Sequence, residues 1–174
     1  IAFTTGLFLC VDSWAAEKMK QPTVEYSADM TMQSAMGPMT GKVYHALGGK
    51  ERMEMNAMGS TTIVISRQDK KVGWVLMPAQ KTYMETTLEE SAQKSGGANI
   101  NDCDVDMNSQ GDETVNGVRA TKNKVSMSCP EDVKYNGTIW ITKEGIMVKM
   151  DAVGGQGSNQ MPVKIDLTNL NIGK

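Results

Sequence analysis

Two cysteines, a surplus of methionines and one run of acids are the reactive or metal-seeking features of this sequence. Cys103 and Cys129 are the only cysteines beyond Cys10. In an oxidising compartment such a pair is a natural disulfide. Closing a loop of that size stabilises a fold by roughly 3–4 kcal/mol in the chain-entropy model. A metal site is the weaker reading, because the single histidine, His45, lies far away in sequence. The chain carries 15 methionines, more than an ordinary core needs. Met30/Met32 and Met53/Met55 have Met-x-Met spacing, and thioethers are soft ligands that select Cu(I). On a strand the same spacing sends both side chains to one face, where they form an adaptable apolar surface. Asp102, Asp104, Asp106, Asn108 and Glu113 imitate the oxygen-ligand spacing of a calcium loop. Met107 stands where that loop requires glycine, and no helices flank it. Nothing supplies a nucleophile elbow, a phosphate loop or a zinc set, so no enzyme activity, catalytic residue or cofactor is expected, and Met-based copper binding stands as a further alternative only.

These residues are positioned by a sequence whose period is two. Val24, Tyr26, Ala28, Met30 and Met32 alternate with Glu25, Ser27, Asp29, Thr31 and Gln33, the pattern of a half-buried strand. Gly37-Pro38 breaks it, and residues 39–46 return. Gly48-Gly49 precedes a third alternating run through Met53 and Met55. The run TTIVISR, residues 61–67, is β-branched; residues 72–77 and 82–86 follow as strands. Residues 88–95, LEESAQKS, form the one convincing helical stretch, stopped by Gly96-Gly97. Asn116-Gly117 and Asn136-Gly137 each read as a hairpin turn, separating strands over 118–129, 135–142 and 146–153. A flexible connection over 154–159 leads to a last strand through Val163, Ile165 and Leu167. The fold class is mainly β: a single curved antiparallel sheet of about ten strands, an incomplete barrel, with one or few helices covering the concave side. A sheet that wide must curl or close.

The first residues set the compartment. Ile1 to Val11 form an uncharged apolar run, too short for the roughly 20 residues that span a bilayer. Ser13 and Ala15 fit the small-residue positions of a secretory cleavage site. Residues 1–15 are therefore expected to be a cleaved signal peptide, and the protein periplasmic. Leu9 before Cys10 is wrong for lipid attachment. The formal charge of −2 becomes −1 once Asp12 is removed, with no basic stripe for nucleic acid. Both phenylalanines, Phe3 and Phe8, lie in this segment, leaving residues 16–174 as one domain rich in methionine and free of Phe.

The order of motifs carries a likeness. Tyr26-Ser-Ala-Asp-Met30, Gly41-Lys-Val-Tyr44, Lys50-Glu-Arg-Met-Glu54, the strand Thr62 to Arg67, Trp74-Val-Leu-Met-Pro78 and Lys81-Thr-Tyr83 follow one another. Gly111 to Gly117, Gly137-Thr-Ile-Trp140 and Leu167-Thr-Asn-Leu170 come after them. Together they resemble the periplasmic lipoprotein-carrier (Lol-type) superfamily, in its branch of uncharacterised bacterial envelope proteins. The resemblance implies a half-barrel with an apolar cavity for acyl chains, and a monomer that takes up lipid or acylated protein with transient membrane contact. It also implies a further C-terminal segment, so the domain is expected to be truncated there. The cavity residues expected are Tyr26, Met30, Met32, Met53, Met55, Trp74 and Leu76. The competing expectation is a structural or stress-related envelope protein whose sheet interior is simply filled.

Overall fold

A computed structural model describes residues 17–34, 37–57, 59–88, 90 and 103–173. The proposed signal peptide and nearly all of the helical stretch at 88–95 lie outside these residues. Twelve strands form one antiparallel sheet: β1 (Glu17–Lys18), β2 (Tyr26–Ser34), β3 (Gly37–Ala46), β4 (Lys50–Ala57), β5 (Ser60–Arg67), β6 (Val72–Met77), β7 (Thr82–Thr87), β8 (Asp104–Val115), β9 (Val118–Cys129), β10 (Val133–Ile141), β11 (Met147–Gln156) and β12 (Asn159–Ile172). The spatial order is β1-β8-β9-β10-β11-β12-β2-β3-β4-β5-β6-β7. Two meanders, β2–β7 and β8–β12, are thus joined by the pairing of β12 with β2. β7 and β1 end the order without pairing each other, so the sheet is an open half-barrel, as expected. Each meander keeps strands close in sequence side by side, which needs only short turns.

The turns follow local chemistry. Asn116 and Gly117 both have positive φ, 53° and 80°, as a two-residue hairpin requires. Lys71 and Lys81 close short 3-10 turns in the left-handed region. The second Asn-Gly pair behaves differently, and the expected turn at Asn136-Gly137 is corrected. Both residues lie inside β10, where Gly137 pairs with Val125 on one side and Ala152 on the other. A Cβ on Gly137 would come within 2.3 Å of the Asp151 carbonyl oxygen. Its glycine serves close strand approach, not reversal. The reversal falls instead at Pro130–Asp132. Likewise β11 runs on through Gln156 where a flexible connection was expected.

Alternation sorts the sheet into two unlike faces. One buries Tyr26, Ala28, Met30 and Val43 with Val148 and Leu167, and a second cluster of Cys103, Val105, Met127, Ile139 and Met150 continues it toward β8. The N-terminal segment crosses this second half. Met19 packs on the β8–β11 cluster, and the Thr23 N–H donates to the Glu144 carbonyl at 2.9 Å. The other face carries cross-strand ion pairs: Lys42–Asp29, Lys149–Asp166 and Lys164–Asp151. At this exposure each is worth about 0–1 kcal/mol, so they fix which face is wet more than they add stability.

Candidate functional site

The register from β2 to β7 is unbroken and decides which side chains meet. Ala28, Val43, Met53, Val64, Val75 and Met84 form one cross-strand row. Met30, Gly41, Met55 and Thr62 form the next, and Met32 faces Met39 directly beyond it. In the other half, Met107 pairs with Val125, Met127 with Tyr135, Met150 with Ile139 and Ile165, and Met161 with Gly154. Ile165 pairs in turn with Met32, so all these residues share one face. Every methionine in a described strand lies on it. The excess of methionine in the sequence is therefore the property of a single surface, here called the methionine face.

Closure varies across the face: Met30 on β2 is 5% exposed, and Met161 on β12 is 47% exposed. Met127 and Met150 are 0% and 1% exposed, sealed beneath the N-terminal segment. Met53, Met55, Val64, Val75 and Met77 are only half-buried, and Met84 is exposed. Gly41 separates Met30 from Met55, and a Cβ there would meet the Glu54 carbonyl oxygen. A glycine at this point lets β3 and β4 approach closely and leaves a gap between two flexible thioethers.

Of the seven cavity residues expected, Tyr26, Met30, Met32, Met53 and Met55 are brought together on the methionine face. Trp74 and Leu76 are not. Trp74 pairs with Ile65 and Glu85, and Leu76 with Ile63 and Tyr83, all on the opposite face. They line a shallow apolar groove of about 460 Å³ with Ile65, Pro78, Lys81, Thr82 and Tyr83. Trp74 Nε1–H donates to Glu85 at 2.7 Å.

At one margin of the methionine face is a polar row that the sequence reading missed: Tyr26, His45, Glu51 and Ser66. The Tyr26 and His45 rings stack at 5.2 Å, and His45 Nδ1 lies 3.9 Å from Glu51 Oε2. Burial, with the Glu51 charge adding to it, raises the Tyr26 hydroxyl pKa well above its ordinary range. Only pairing register reveals this row, because its members are far apart in the chain.

The two remaining sequence features resolve simply. Cys103 and Cys129 are disulfide-bonded, with Cα atoms 4.1 Å apart. The calcium-loop reading is corrected: Asp104, Asp106, Asn108 and Glu113 lie in β8, an extended strand that cannot wrap an ion, and Asp102 falls outside the described residues. Glu113 instead accepts a hydrogen bond from Trp140 Nε1. No group of three or more His, Cys, Asp or Glu that could hold a metal occurs among the described residues.

The described strands form an open antiparallel half-barrel with one methionine-lined face, the fold class expected from the sequence. Residues 26–165 match the family described as Domain of unknown function (DUF4412), and the chain belongs to that family. No curated protein matches it. Among solved structures the fold is similar to MucB in complex with MucA(peri), at 14% identity and a TM-score of 0.50, covering 88% of this chain and 52% of that one. It is also similar to MucB alone, at 14% identity and 0.50, covering 91% and 56%. The chain thus spans about half the length of the MucB structures it matches. A LolA superfamily protein, NE2245 from Nitrosomonas europaea, matches at 8% identity and 0.46, covering 90% and 89%.

Proposed function

We propose that this chain is an exported binding protein of the Gram-negative envelope that holds lipid, a lipoprotein acyl chain or another apolar ligand against the methionine face. One observation carries the reading: every methionine of the described strands falls on one face, and that face is buried at Met30, Met127 and Met150 but accessible across β4–β7. A simply filled core would bury the β4–β7 stretch as it buries Met30 and Met150. Met53, Met55, Met77 and Met84 instead remain partly accessible, flexible and weakly polar, as an apolar site with few convergent polar groups requires. Each methylene of a ligand buried there contributes about 0.8 kcal/mol. Binding and release need no chemistry, in keeping with the absence of a catalytic motif in the sequence.

The test is native mass spectrometry of protein purified from the periplasm, paired with titration of the neutral fluorophore N-phenyl-1-naphthylamine. Bound lipid, and a probe signal lost in Met55→Asp while the thermal midpoint holds, support the carrier. A wild type that retains no lipid and binds no probe returns the protein to the filled-core class. The same preparation tests export, because mature protein should start near Ala16.

The outer groove favours a second reading, a protein partner. Tyr83 is 71% exposed beside Trp74 and Leu76, at the end strand of the sheet. The similar MucB structure is a complex with MucA(peri). Pull-down from envelope extract with Tyr83→Ala as control separates the two: loss of a partner while lipid binding persists assigns the groove to protein.

A further inference from the structure

The methionine face is not uniformly apolar, and the polar margin formed by β2 to β5 carries a sign. Across β2 to β7, Asp29, Lys42, Lys50, Arg52, Glu54, Arg67 and Glu85 all fall on the outer face by register. Among the described residues of these six strands Glu51 is the one carboxylate on the methionine face, and no lysine or arginine of those strands joins it there; the Asp112–Arg119 pair lies at the far β8–β9 end. A lone charge on such a surface needs a reason, because desolvating a carboxylate without a counter-charge is costly. The nearest titratable groups are Tyr26 from β2 and His45 from β3. His45, with its side chain 3% exposed, approaches Glu51 at 3.9 Å and no closer, which is an ion-pair distance but not a hydrogen bond. The Glu51 side chain remains 36% exposed, so the row is accessible at this residue. Two residues further along β4 stands Met53, and two beyond that Met55, both on the same face. From Glu51 to Met55 the strand advances about 13 Å.

We propose that the ligand of the methionine face is an amphiphile with a cationic head, such as an alkylammonium group, seated on Glu51 beside His45 with its alkyl chain laid across Met53 and Met55. This rests on the apolar-binding reading above and adds the head-group chemistry to it. Tyr26 and Ser66 flank the carboxylate with hydroxyls that can accept or donate to the head. An anionic head would face Glu51 with no lysine or arginine among the described residues of β2–β7 on that face to offset it.

The experiment compares three ligands with one tail. Dodecylammonium, dodecanol and dodecanoate, each below its micelle concentration, displace N-phenyl-1-naphthylamine at neutral pH from the wild type and from Glu51→Gln. Dodecylammonium should bind at least about tenfold tighter than dodecanoate, with dodecanol between. Glu51→Gln should collapse that ratio while leaving dodecanol unchanged. In wild type, 1 M salt should narrow the ratio, a readout that needs no variant. Equal or tighter binding of dodecanoate, or a preference that survives Glu51→Gln, overturns the assignment of the head while leaving apolar binding standing. Failure of the probe and all three ligands to bind the wild type overturns apolar binding, and this inference with it.

Discussion

Reducing the bond between Cys103 and Cys129 removes a covalent staple at the open end of the β8–β9 hairpin. Asp104 pairs with Ser128, so the bridge joins the next positions outward, and Cys103 is 0% exposed in a cluster with Val105, Met127 and Ile139. The two cysteines are 26 residues apart. For a loop of that length the chain-entropy relation gives about 3.5 kcal/mol at 25 °C. For a chain of this size each kcal/mol moves the thermal midpoint by about 2–4 °C, so the midpoint should fall by about 7–14 °C. The comparison is urea unfolding of oxidised protein against the same protein held reduced, which leaves every side chain in place. The reduced chain should also show a steeper urea dependence, because its unfolded state is less compact and exposes more surface. A loss below about 1 kcal/mol with an unchanged slope would refute the reasoning. It would mean that the hairpin already restrains the unfolded chain or that the native bridge is strained by as much as it stabilises.

Other expectations follow from the faces and their charges. Tyr26 has a folded pKa above its unfolded value, so its contribution is complete below about pH 10 and fades as pH rises further; Tyr26→Phe should flatten the alkaline limb of a stability profile. Asp69 is held at about 2 by its hydrogen bonds from Arg67, and carboxyl titration by NMR in Arg67→Gln should show it returning toward the ordinary range. Gly41→Ala drives a Cβ against the Glu54 carbonyl and should lower the stability read from urea midpoints by about 1–3 kcal/mol or more. Met127→Ala, in the sealed half, should cost about 2–5 kcal/mol, whereas Met84→Ala, exposed at the far end, should stay within about 0.5 kcal/mol.

Features set by local chemistry were legible in the residues alone. Alternation with period two marked nearly every strand, since side chains of a half-buried strand must alternate between core and water. The β-branched run before Arg67 and the span ending at Cys129 were read almost to the residue. Asn116-Gly117 was legible as a turn because positive φ at both positions is a local requirement. The disulfide was legible by elimination among so few cysteines. Features that depend on strand partners emerged only from the pairing of the folded sheet. Asn136-Gly137 has the same dipeptide but lies in mid-strand, because β11 crowds Gly137 and the chain reverses at Pro130–Asp132 instead. Acidic spacing around Asp104 and Asp106 imitated a calcium loop, yet pairing with β9 holds that stretch extended. Strand alternation grouped Trp74 with Leu76 but could not say which side of the sheet they occupy, and the β5–β6 register sets them behind Met53 and Met55. The same register brings Tyr26, His45 and Glu51 into one row from three strands. A face is a relation between strands, and alternation within one strand fixes its period but never its phase against the others.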